Sequence, residues 1–177
     1  SCHCFPEVVY TFIYHPQDLC LSGLTFQELL EICRVAHYYI IDDLIAIVED
    51  YLTAFLTVDT INTLWKHACE YCLENLIDRI VEFCSAEFLS FSDSDSFLRA
   101  DKELLRRSLS TGNITLNTQS LYDIIHNWGI ENTQKSTSVS VESYIYDLLP
   151  PNVLFNTTTK HFLLGNDSGY LLHFRQY

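Results

Sequence analysis

The chain has 177 residues, 48% of them hydrophobic, which supplies a packed core and excludes wholesale disorder. Its formal net charge is −13, and residues 1–60 hold nine Asp/Glu against one Arg, so phosphate binding through clustered Lys/Arg is excluded there and no nucleic-acid partner is expected. No apolar run reaches the length of a membrane span, so no membrane partner is expected either.

A helix is predicted over Glu7–Tyr14, stopped by Pro16, with a loop through Gly23. Two amphipathic helices follow almost without a break. Apolar residues fall at Phe26, Leu29, Leu30, Cys33, Ala36 and Ile40, then at Leu44, Ile45, Val48, Tyr51, Leu52 and Phe55, the spacing of one helical face each. Asp42 or Asp43 is placed to cap the second of them, and Glu49-Asp50 reads as a solvated face.

Thr57 to Thr60 is a polar start signal for a helix with Ile61, Leu64, Trp65, Ala68 and Cys72 inward. The next helix, about 76–88, turns Leu76, Ile77, Ile80, Cys84 and Phe88 inward. FSDSDS reads as a linker rich in capping residues, followed by short helices from Phe97 and over Lys102–Leu109. Thr111-Gly112-Asn113 is a turn, and Thr118–Trp128 is a helix capped by Asn117. ENTQKSTSVS is an unpatterned linker, and HFLLGNDSGYLLHF carries a hairpin signal. The fold class expected is mainly α, in consecutive antiparallel helix pairs, with a short β-hairpin-like C-terminal tail.

Chemistry is sparse. Cys69 and Cys72 form a C-x2-C pair beside His67, and Cys2, His3 and Cys4 offer further soft ligands, so a zinc-binding regulatory domain is one reading. Spacing of three inside a predicted helix is also ordinary core spacing, and that reading is preferred; no metal and no cofactor is assigned. Neither a nucleophile elbow nor a Gly-rich phosphate loop occurs, so no catalytic residue is assigned and the chain is not expected to be an enzyme. Trp65 and Trp128 lie on apolar helix faces and read as core. The seven Cys, several of them on apolar faces, read as reduced thiols of a cytoplasmic or nuclear protein.

The stretch with Phe12, Ile13, Tyr14, Leu29, Leu30, Ala36, Leu44, Tyr51 and Leu52 resembles the second half of a BTB/POZ domain. FLTVDTINTLWKHACEYCLENLIDRIVEFCSAEFL resembles the helix pair that opens a BACK domain, and Leu104, Leu105, Leu109, Ile114, Leu121, Tyr122 and Trp128 stand where the BACK core has apolar residues. The resemblance implies a chain that begins inside the BTB domain: residues 1–56 as its C-terminal half, 57–130 as BACK, and 131–177 as a linker and the start of a possible β-rich segment.

It further implies a non-catalytic, kelch-like substrate adaptor for a cullin-RING ubiquitin ligase, binding a cullin-3 type scaffold and a protein substrate. A BTB–BACK scaffold or transcription cofactor without a ligase role is the other possibility within this resemblance. Carried onto this chain, the partner surface implied includes Tyr14, Val58, Asp59 and Trp65. The family's homodimer would belong to the full-length protein, because the helix that makes it precedes the resembling part. Thr118 and Gln119 stand where the family often has an acidic residue.

Overall fold

Ten helices and no strand make up the described residues, which in this computed structural model are 5–15, 19–133 and 140–149. The chain is mainly α, as its apolar spacing predicts; the hairpin-like tail lies outside the described residues. Two compact units divide it, one ending at Ile114 and the other starting at Thr115.

In the first unit, α1 (Phe5–Tyr14) packs on α2 (Phe26–Tyr38), and α2 on α3 (Asp42–Thr53). A capping box starts α2: the Thr25 hydroxyl accepts from the Glu28 N–H at 3.3 Å, and the Glu28 carboxylate accepts from the Thr25 N–H at 2.8 Å. Leu29, Leu30, Cys33 and Ala36 of α2 are buried against Leu44, Val48 and Leu52 of α3, the stripes that the spacing picks out. Next come α4 (Ile61–Glu70), α5 (Glu74–Ala86), α6 (Phe88–Ser92), α7 (Asp95–Leu98) and α8 (Lys102–Ser110). Helix α5 is the hub, touching α3, α4, α6 and α8.

Two corners depart from the sequence reading for one shared reason. Ile40 has φ 57° and Cys72 has φ 53°, so each is a left-handed residue just past a helix. At the first corner the Ile41 N–H donates to the Ala36 carbonyl at 2.9 Å; at the second the Leu73 N–H donates to the Ala68 carbonyl at 2.9 Å. Both are Schellman ends, normally made with glycine. The reversal throws Ile40 and Cys72 off the apolar faces to which spacing assigns them, and both are exposed. Tyr51 is likewise partly exposed.

Three further corrections concern polar groups. Ile41, not Asp42 or Asp43, holds the N-cap position of α3, and it makes no side-chain bond there; both aspartates sit in the first turn, where the helix dipole still favours them. Glu49 is buried, not solvated. Its carboxylate accepts from the Asn75 side-chain amide at 3.1 Å and from the Leu76 N–H at a long 3.4 Å, so α3 caps the start of α5. The segment read as a linker holds the last two residues of α6, a turn and the first two residues of α7, with Phe91 fully buried.

In the second unit, α9 (Thr118–Thr133) packs on α10 (Val141–Ile145). Asn117 caps α9 as predicted, its side-chain oxygen accepting from the Ser120 N–H at 2.8 Å. Gly129 lets α10 come close: a β-carbon there would stand 2.6 Å from the Ile145 Cγ2. Trp128, buried, stacks on Tyr144 with ring centres 5.6 Å apart.

Burial pushes the thiols of Cys33 and Cys84 up to about 12 from 9.0; the Glu49 charge adds to the shift at Cys33, while a hydrogen bond to Ser108 opposes it at Cys84. Both stay protonated in the fold after the unfolded chain would release its protons. Since folded values lie above unfolded ones for these acids, folding stability is unaffected below pH 9.0 and falls as pH rises toward about 12. The slope expected is about 1.4 kcal/mol per pH unit for each thiol. Urea denaturation at several pH values above 9.0 checks it: Cys33→Ala/Cys84→Ala is expected to flatten the slope although it lowers stability throughout.

Candidate docking groove

The groove between α1 and α2 is built from matching stripes. Helix α1 contributes Val9, Tyr10, Ile13 and Tyr14; α2 contributes Arg34, Val35 and Tyr38, with Tyr39 at its C-cap; Ile41, just past the corner, closes one end. On each helix these are positions i, i+1, i+4 and i+5, which place them on a single side. The groove encloses about 710 Å³. Val9 is buried at its floor, while Tyr10, Ile13, Tyr14, Tyr38 and Tyr39 are between 55% and 78% exposed. Ile40, next to this lining, is 79% exposed.

The aromatic rings are arranged in pairs. Tyr10 and Tyr14 lie one turn apart on α1 with ring centres at 4.6 Å. Tyr38 and Tyr39 meet edge to face at 5.1 Å. Tyrosine gives a large contact area with few torsions to freeze and a hydroxyl for a polar partner, which is why it is enriched where proteins meet. The one cation in the lining, Arg34, pairs with Glu31 at 2.8 Å, one turn earlier on α2. That carboxylate raises the Arg34 pKa further, first through its hydrogen bond and then through its charge.

Of the residues suggested from the sequence, Tyr14 lines this groove. Val58 and Asp59 lie in the turn before α4, half-buried and exposed respectively. Reciprocal hydrogen bonds brace that turn: the Thr57 N–H donates to the Thr60 hydroxyl oxygen at 3.0 Å, and the Thr60 N–H to the Thr57 hydroxyl oxygen at 3.3 Å. Trp65 is buried in α4 and borders a different groove of about 440 Å³, with Asn62, Lys66 and Cys69 of the same helix and Arg99, Asp101 and Glu103 opposite. The structure therefore does not bring Trp65, Val58 or Asp59 to the Tyr14 groove. Tyr10, Tyr38 and Tyr39 were missed by the sequence reading. Spacing alone could not find them, because their exposure follows from how α1 packs on α2.

Cys69 and Cys72 are exposed free thiols at the end of α4, not core residues. Partial desolvation, together with nearby Asp101, raises the otherwise exposed Cys69 thiol. Among the described residues no group of three or more His, Cys, Asp or Glu is placed to hold a metal ion; Cys2, His3 and Cys4 lie outside them. No helix of the described residues is long and apolar enough to cross a membrane. No protein-family model, no curated protein and no solved structure matches this chain.

Proposed function

We propose that this chain is a non-catalytic protein-interaction module, the helical part of a BTB–BACK-like adaptor that docks a cullin-3 type scaffold in the service of a ubiquitin ligase. One observation carries the docking reading: solvent-exposed tyrosines from two helices line a single groove, and Tyr14, the position suggested by the BTB resemblance, is among them. Contiguous exposed apolar surface with a polar rim is what interaction sites present. The finer reading, a cullin scaffold in particular, is supported by the resemblance alone. The free thiols, two of them buried, suit a reducing compartment such as the cytoplasm or nucleus. The acidic charge balance makes protein, and not nucleic acid, the expected partner.

The test is calorimetry of the full-length product with the N-terminal region of a cullin-3 type scaffold. Binding is expected, and Tyr14→Ala is expected to weaken it at least tenfold, as loss of a central aromatic anchor does. Circular dichroism confirms that the variant folds; Tyr14 is 63% exposed, so little stability should be lost. Absence of binding by the intact product removes the ligase role and leaves a scaffold or cofactor reading. Binding that is indifferent to Tyr14 removes the groove.

A further inference from the structure

We infer that the groove between α1 and α2 receives an amphipathic helix of a partner protein whose outer face is basic; this rests on the docking reading above. Shape argues for a helix. The lining comes from two packed helices whose facing stripes leave a trough, and the ridge of a third helix fills such a trough. An added strand would need a free edge of backbone N–H and C=O groups, and in the helices that form the walls these groups bond within the helix. The apolar floor, Val9 and Val35, and the rings of Tyr10, Tyr14 and Tyr38 suit aliphatic anchors one turn apart.

Charge argues for a basic partner. Arg34 is the only Lys or Arg in residues 1–60, and Glu31 already holds it at 2.8 Å. Immediately after the groove-lining Ile41 come Asp42 and Asp43, both exposed and neither in an ion pair among the described residues. Next to the lining in sequence there are thus two carboxylates outside any ion pair, and among the described lining residues the only cation is the paired Arg34. Lysines or arginines on the docked helix would be drawn by these carboxylates and by the acidic balance of residues 1–60, raising the association rate at low salt.

The probe is a pair of synthetic helical peptides of about 18 residues with one shared leucine face, the outer face carrying lysine in one and glutamate in the other. The lysine peptide is expected to bind the full chain, to lose at least tenfold in affinity to Tyr14→Ala/Tyr38→Ala, and to weaken several-fold between roughly 50 and 500 mM salt. Asp42→Lys/Asp43→Lys is expected to weaken it several-fold. Asp42→Asn/Asp43→Asn should give an intermediate loss and decides the matter if the lysine variant does not fold. Reversal of exposed acids outside the groove, Asp78→Lys/Asp93→Lys, should leave affinity within about twofold. Equal binding of the two peptides, or an equal loss from the reversal at residues 78 and 93, overturns the inference. The two readings also fail separately. Scaffold binding that needs Tyr14 but ignores salt and the charges at Asp42 and Asp43 sinks the basic helix alone. Scaffold binding that ignores Tyr14 sinks the docking groove itself.

Discussion

Replacing Phe91 with Ala is expected to lower the stability of the first unit by about 3–5 kcal/mol, the usual cost of emptying a buried aromatic site. Phe91 is fully buried although it sits in a five-residue helix surrounded by serine and aspartate. Its ring meets Phe97 edge to face at 5.4 Å, and Phe97 in turn meets Phe88 at 6.1 Å. Such pairs add about 0.5–1.5 kcal/mol beyond the area they bury. Helices this short do not persist by their own propensity, so α6 and α7 depend on these three rings for their position. Phe91→Leu keeps most of the volume and loses the ring pairing, so a smaller loss is expected. Urea denaturation followed by circular dichroism checks both. A loss below about 1 kcal/mol for Phe91→Ala would mean that the ring cluster does not anchor these helices.

Glu49→Ala is expected to cost about 1–3 kcal/mol, because it strips a buried N-terminus of its acceptor. Helix α5 has Leu73 at its N-cap position and no side-chain cap of its own. The carboxylate of Glu49, reaching over from α3, takes the Asn75 amide and the Leu76 N–H, and its negative charge faces the positive end of the helix. Removing it leaves the buried Leu76 donor without that partner. Glu49→Gln keeps an acceptor oxygen and should lose less. Asp50→Ala, at the exposed neighbour, should change stability by no more than about 0.5 kcal/mol. Equal effects at residues 49 and 50 would contradict the capping role.

The contrast between Glu49 and Asp50 shows where sequence reading stops. Helical periodicity identified the α2–α3 pair because Leu29, Leu30, Cys33 and Ala36 must share a side to be buried, and they do. It says nothing of an acid that leaves the solvated face to cap a helix starting 25 residues later. Left-handed ends at Ile40 and Cys72 were unreadable because glycine, their usual marker, is missing at both. Phe91 was hidden by its polar neighbours, whose caps and turns resemble a linker. Tyr14 was legible only through a resemblance. Tyr10, Tyr38 and Tyr39 needed the packing of α1 on α2 before their exposure had any meaning, since an aromatic at helical spacing usually reads as core.

Hydroxyl-radical footprinting of the full-length product, with and without the cullin-3 type scaffold, tests the docking groove most directly. Tyr10, Tyr14, Tyr38 and Tyr39 are exposed and should be oxidised in the free protein. Tyr51 and Tyr146 are exposed outside the groove and serve as internal references. The expected result is protection of the four groove tyrosines on binding, with the two references unchanged. Protection of the references with the groove tyrosines still oxidised would place the partner elsewhere and contradict the docking assignment.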